Sequence, residues 1–180
     1  MRTYIALLRG INVSGQKKIL MKELTVFLSG AHISDLKYYI QSGNLIFNSS
    51  LNKYEVKNHI ESIIKQKYQF EVPVLILDKF EIELIIKRNP YPDKDIKYFY
   101  VSYLFEDPDE ELKNKINGIK FNDDNFTFGN KVIYVYCPGG FGKTKLNNNF
   151  FEKKLNIKAT SRNWKTTLKL RELTEVIKKN

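Results

Sequence analysis

KYYIQSGNLIFN, residues 37–48, read beside NFTFGNKVIYVY, residues 125–136, decides the fold. In each stretch two β-rich runs flank a Gly-Asn dipeptide, Gly43-Asn44 after Ser42 in the first and Gly129-Asn130 in the second. Glycine lacks a Cβ and enters the positive-φ region that a tight turn requires, so both stretches read as β-hairpins. The two dipeptides stand 86 residues apart.

The flanks of the two hairpins match in order. Before the first, residues 3–9 form a mostly apolar strand, and Leu20, Leu24, Phe27, Leu28 and Ala31 recur at helical spacing. After it, Asn52 caps a helix whose Val56, Ile60, Ile63 and Ile64 share a face. Residues 72–77 make a short buried strand with Pro73 near its start, and Asp78 caps a helix carrying Phe80, Leu84 and Ile85. Asn89-Pro90-Tyr91-Pro92 then breaks the chain. Beyond it come an aromatic strand at 98–105 and a short helix opened by Asp107-Pro108, with Leu112 and Ile116. The second hairpin and a Gly-rich loop at 138–142 precede a helix with Leu146, Phe150 and Phe151. A brief strand at 157–160 and a helix from about Asn163 close the chain, and the 86-residue shift carries 73–77 onto 159–163.

This order predicts an α+β fold of two tandem ferredoxin-like (βαββαβ) halves, each burying one sheet face under two helices. The expected domains are 1–89, the first half plus a linking helix, and 90–180, the second half plus a C-terminal helix. A single mixed α/β sheet is the competing arrangement.

Composition narrows the function classes. Nothing approaches the roughly 18 apolar residues of a membrane helix, and the N-terminus has no signal-peptide pattern, so a cytoplasmic protein without a membrane partner is expected. Cys137 is the one cysteine, which excludes an internal disulfide and a cysteine metal pair. The net charge of +10 is uneven: residues 1–22 carry +5 with no Asp or Glu, residues 141–180 carry +8, and the stretch between carries −3. Charge localised in this way suits phosphate-bearing ligands or nucleic acid. It equally suits lysines displayed on solvated helix faces.

Three segments could carry chemistry. The first, LLRGINVSGQKKI, joins a strand to a helix with Arg9, Gly10, Asn12, Gly15, Lys17 and Lys18. Backbone N–H groups beside such cations can hold an anion, although the glycines also serve backbone conformation alone. ALLRGINVSGQKKILMKEL, YIQSGNLIF and TSRNWKTTLKLREL, in that order and at this chain length, resemble domain-of-unknown-function family 1697, a group of uncharacterised, mostly bacterial proteins. The resemblance implies duplicated ferredoxin-like parts. It implies no activity, cofactor or catalytic residue. Ser14 stands where the family more often has a glycine.

The second segment, CPGGFGKTK, sits between strand and helix like a P-loop, but the glycine needed five positions before Gly142 is Cys137. A looser phosphate contact through Gly140, Gly142 and Lys143 remains. The third is SRNWK, where Asn163 caps a helix, Trp164 starts an apolar stripe continued by Leu168, and Arg162 lies beside the helix start. In a ferredoxin-like sheet the ends of the first and third strands are expected at one edge, with Arg162 at the opposite edge of its half. His32 and His59 read as structural, and no residues have metal-ligand spacing.

The best-supported function is therefore a module binding a phosphate-bearing, nucleotide-like small molecule at Arg9, Gly10, Asn12, Lys17, Lys18, Gly140, Gly142, Lys143, Arg162 and Asn163. The second reading is single-stranded nucleic-acid binding, with Tyr98, Phe99, Tyr100, Tyr103, Tyr134 and Tyr136 as stacking candidates. The third is an enzyme of unassigned reaction using the same anion site. No cofactor and no oligomeric state are indicated.

Overall fold

Both hairpins form, and each belongs to its own sheet. The computed structural model describes residues 1–13, 15–119 and 121–177, and Ser14 lies outside the described residues. Among the described residues the fold is mixed α+β, with two four-stranded antiparallel sheets and six α-helices.

The first sheet holds β1 (Arg2–Leu8), β2 (Ser34–Tyr38), β3 (Asn44–Ser49) and β4 (Val74–Asp78) in the order β2-β3-β1-β4. Helix α1 (Met21–Leu28) follows β1, and α2 (Lys53–Tyr68) follows β3. The second sheet holds β5 (Phe99–Leu104), β6 (Asn125–Phe128), β7 (Val132–Tyr136) and β8 (Ala159–Asn163) in the order β6-β7-β5-β8. Helices α4 (Glu110–Asn117) and α5 (Asn148–Leu155) follow β5 and β7, while α3 (Lys79–Lys87) follows β4 and α6 (Trp164–Val176) follows β8. By contacts the chain divides into Met1–Glu83 with Lys169–Asn180, and Leu84–Leu168.

In the first unit, alternation along β1 sends Tyr4, Ala6 and Leu8 to the face where Leu45, Phe47, Leu24, Val56 and Ile60 complete a core. Burial of each large side chain there contributes about 1.5–3 kcal/mol. The α2 start is a capping box: Asn52 Oδ1 accepts from the Tyr54 and Glu55 N–H groups, and Glu55 Oε2 accepts from Asn52 N. Asp78 and Glu81 do the same for α3, each side chain accepting from the other's backbone N–H. Of the residues expected on the apolar stripe of α3, Ile85 is buried, whereas Phe80 is 71% exposed and Ile82 is buried in its place. Lys79 meets Glu175 at 3.1 Å, which ties the α3 start to the α6 end within this unit.

In the second unit, Leu104, Ile133 and Val135 pack with Ile116, Phe151 and Leu155 under α4 and α5. The other face of this sheet is covered too. Phe99 lies 4.5 Å from Trp164 between ring centres, Tyr103 and Thr167 share a hydrogen bond of 2.8 Å, and Tyr134 donates to the Ile85 carbonyl at 2.8 Å. Trp164 is buried as its apolar character requires, but the stripe continues through Thr167 and Leu170, leaving Leu168 exposed.

Two sequence expectations are corrected. Gly43 has φ +82 in the first turn, whereas the left-handed residue of the second turn is Lys131, φ +52. Gly129 is needed for space: a Cβ there would stand 2.7 Å from Tyr134 Cε2. Leu8 N donates to Gly43 O and Leu104 N to Lys131 O, so Lys131 is the ladder counterpart of Gly43. The shift is thus 88 residues at the hairpins, 96 from β1 to β5 and 85 from β4 to β8, not a constant 86.

The second correction concerns edges. β7 and β8 are both antiparallel to β5, so Tyr136 pairs with Phe99 and Asn163 with Tyr100. Both strands therefore end where β5 begins, and Arg162 lies at the same edge as the 138–145 loop. β1 and β3, being antiparallel, end at opposite edges.

Candidate functional site

In the first unit the connection from β1 to α1 runs from Arg9 to Leu20, twelve residues; the connection from β5 to α4 in the second unit has five. The long connection is organised by Asn12. Its Nδ2 donates to the carbonyls of Ile19 (2.9 Å) and Gln41 (2.7 Å), and its Oδ1 accepts from Ile19 N (2.9 Å). Gln41 answers from the β2–β3 turn: its Oε1 accepts from Met21 N, capping α1 where Leu20 has no side chain to do so. Ile11 and Ile19, buried beneath, hold the connection to the core.

The backbone around this pair of loops is unusual. Gly10, Asn12, Gly15, Lys17 and Ile40 all have φ between +45 and +75. A left-handed β-branched residue such as Ile40 costs of order 1–3 kcal/mol and persists only where its surroundings impose it. Such strain gathers at binding sites. Gly10 and Gly15 are exposed, with nothing within 4 Å of where a Cβ would stand.

The cations differ. Lys17 Nζ donates to the Glu71 carbonyl at 2.7 Å and lies 5.9 Å from the centre of the Phe70 ring, partners that leave its charge uncancelled. Lys18 is exposed, and Arg9 is half-buried with its N–H on the Pro73 carbonyl.

The second unit's candidates gather at the edge where β5 begins. Cys137 N donates to Tyr98 O, and Asn163 Nδ2 to Lys97 O. Backbone groups of the glycine-rich loop are used internally: Gly140 N donates to Cys137 O at 2.9 Å and Lys143 N to Gly140 O at 3.0 Å. Thr144 Oγ1 donates to Asp124 at 2.6 Å and accepts from Leu146 N, so it orders the approach to α5. Phe141 stacks on Tyr100 with ring centres 4.4 Å apart. Gly142 and the Lys143 side chain are exposed. Asn163 caps α6, its Oδ1 accepting from Lys165 N.

Arg162 is 7% exposed and turned into the unit, its Nη1 donating to Thr160 Oγ1 (2.8 Å) and Ser161 O (2.9 Å). Burial pulls its guanidinium down to about 10, against a smaller upward pull from Tyr103. Phe99, Tyr103 and Tyr134 are buried and have no face to offer a base, and Tyr100 is covered by Phe141.

Acid–base chemistry finds little foothold. Burial pushes the Cys137 thiol up to about 12, with Asp124 adding to the rise, far from a reactive thiolate. His59 is lowered by burial and by neighbouring His32. Among the described residues no three His, Cys, Asp or Glu side chains are grouped to hold a metal ion, and no helix is long and apolar enough to cross a membrane.

Of the sequence candidates, the structure therefore brings Arg9, Gly10, Asn12, Lys17 and Lys18 together in one unit, and Gly140, Gly142, Lys143, Arg162 and Asn163 together at one edge of the other. Sequence reading missed Ile40 and Gln41. Their only local signal was proximity to Gly43, because a left-handed isoleucine and a cap donated from another loop leave no mark in composition.

The chain is similar to a solved structure described as conserved bacterial protein SP0830 from Streptococcus pneumoniae, at 24% identity over 96% of this chain and 98% of that one, with a TM-score of 0.78. That likeness concerns the fold. A search of curated proteins finds no match. The family model described as "Protein of unknown function (DUF1697)" matches residues 1–134, three-quarters of the chain, and the chain accordingly belongs to that family.

Proposed function

We propose that this protein is a cytoplasmic binding module for a phosphate-bearing, nucleotide-like small molecule, and that the phosphate is met by the connection from β1 to α1. The observation that carries the reading is that connection itself. It is seven residues longer than its counterpart after β5, holds Arg9, Lys17 and Lys18 with no acidic residue, and is braced by Asn12 in a left-handed backbone. Exposed left-handed glycines beside cations suit an anion, because their N–H groups can converge without a Cβ in the way. Gly140, Gly142, Lys143, Arg162 and Asn163 fit the role less well, since the backbone and guanidinium donors there serve the chain's own carbonyls and hydroxyls.

The halves 1–89 and 90–180 are read as ferredoxin-like units in tandem. The strand orders β2-β3-β1-β4 and β6-β7-β5-β8 support this, as does the βαββ succession in each. On that reading the long connection is what distinguishes the first half from the second.

Calorimetry and thermal shift with pyrophosphate, ADP, ATP and sugar phosphates at low salt test the function. Millimolar or tighter binding is expected, weakened at least tenfold in K17E/K18E and retained in K143E/K145E. No stabilisation by any of these compounds, or equal loss in both double variants, would overturn the reading.

A further inference from the structure

Each sheet has two edge strands, β2 and β4 in the first and β6 and β8 in the second. An edge with open N–H and C=O groups is a template for another chain, so folded proteins block it with bulges, charges or caps. Three of these edges are blocked. β2 is interrupted by a register shift between Ser34 and Lys37, with Asp35 at φ +52. On β4 the outward N–H groups of Val74 and Asp78 donate to the Glu61 and Glu81 carboxylates, both at 2.8 Å. On β8 the outward Ala159 N–H donates to Glu152 Oε1 at 2.7 Å.

β6 is different. Gly129 N donates to Val132 O, and alternation from that pair turns the backbone of Asn125 and Thr127 toward β7. The backbone of Phe126 and Phe128 therefore faces outward. Among the described residues neither outward N–H has a partner, and the pairing with β7 runs without a bulge.

We infer that β6 pairs with β6 of a second copy of this chain, antiparallel about Thr127, giving a symmetric homodimer with one sheet running through both copies. In that register the strand is complementary to itself. Phe126 of each copy meets Phe128 of the other, and because these are the outward residues, each pair exchanges two N–H···O=C bonds. Thr127 meets Thr127 at an exposed position, a favourable cross-strand pair. On the opposite face, the half-buried rings of Phe126 and Phe128, 5.7 Å apart and edge to face, gain the same two rings from the second copy.

Charge selects the same register. Asp123 and Lys131 stand four residues to either side of Thr127, so Asp123 of each copy falls opposite Lys131 of the other. Both are exposed. Lys131 has a loose pair with Asp107 at 3.5 Å, and Asp123 has no ion pair among the described residues. An unrelated strand would have to supply both the aromatic pairs and the reversed charges, whereas a second copy carries them already.

The test is sedimentation equilibrium of the full chain from micromolar to submillimolar protein. A monomer–dimer equilibrium is expected. T127K sets like charges against each other at the symmetry axis and should weaken the dimer at least tenfold. D123K and K131D should each weaken it, and D123K/K131D should restore it to within threefold of the parent, a rescue that damage to the fold would not produce. A monomer throughout the range, a dimer unaffected by T127K, or no rescue in the double variant would overturn the assignment.

Discussion

The side-chain amide of Asn12 pairs with the backbone of Ile19 much as one strand pairs with another: Oδ1 accepts from the Ile19 N–H and Nδ2 donates to the Ile19 carbonyl, both at 2.9 Å. With the third bond to Gln41 O, a single side chain closes the β1–α1 connection and fastens it to the β2–β3 turn.

Replacing it separates two chemical contributions. Asn12→Ala removes three hydrogen bonds and is expected to lower stability by about 1–3 kcal/mol in urea denaturation. Asn12→Asp keeps the shape but turns a carboxylate oxygen toward the two carbonyls that Nδ2 now serves, so it should cost at least as much as alanine. An aspartate variant as stable as the parent would mean that Nδ2 is not the donor.

The two hairpins offer opposite outcomes at ladder-equivalent positions. At Gly43 a Cβ would lie 2.7 Å from Leu8 Cβ and 2.9 Å from Ile11 Cδ1 at φ +82, so Gly43→Ala combines strain with overpacking. A loss of about 2–4 kcal/mol is expected. Lys131 already bears the left-handed cost, and Lys131→Gly should be neutral or stabilising by up to about 1 kcal/mol. Chemical denaturation of both variants checks the pair, and equal losses would contradict the assigned turn conformations.

Thr144 is the position where a phosphate loop and a structural loop give different answers. Its hydroxyl is engaged by Asp124 and Leu146 N, so Thr144→Val should destabilise by about 1–3 kcal/mol. Nucleotide-dependent stabilisation should persist in the variant. Loss of ligand response without loss of stability would move the phosphate site to this loop.

Alkaline pH should expose the buried tyrosines. Burial pushes the Tyr134 phenol up to about 12 from an ordinary value of 10.0, with Arg88 pulling weakly the other way. Tyr103 is raised as well, chiefly by burial. The unfolded chain loses these protons first, so their contribution is intact below about pH 10 and falls as pH rises toward the folded value. Stability measured from pH 9 to 12 should decline over that window, less steeply in Tyr134→Phe. A flat profile would sink the attribution.

Much of the fold was written in short-range chemistry. Asn52, Asp78 and Asn163 cap the helices expected of them because a cap needs only its own side chain and the next N–H groups. Gly43 turns the first hairpin because its φ is a local property. The cations of the β1–α1 connection could likewise be counted in the sequence. Their bracing by Gln41 could not, since it depends on two loops meeting across the sheet.

Pairing direction and burial were decided only in three dimensions. Whether Arg162 joins the 138–145 loop depends on β7 and β8 both running against β5, a relationship between strands far apart in the chain. Whether Tyr103 and Tyr134 are a stacking surface or a core depends on whether anything covers the second face of their sheet. Thr167 and Ile85 supply their partners, from the helices that follow the last strand of each sheet, so the aromatics became core. Sequence by itself determined the elements, their caps and the basic connection; tertiary structure decided which face and which edge each residue occupies, because antiparallel pairing and burial are properties of the assembled sheet.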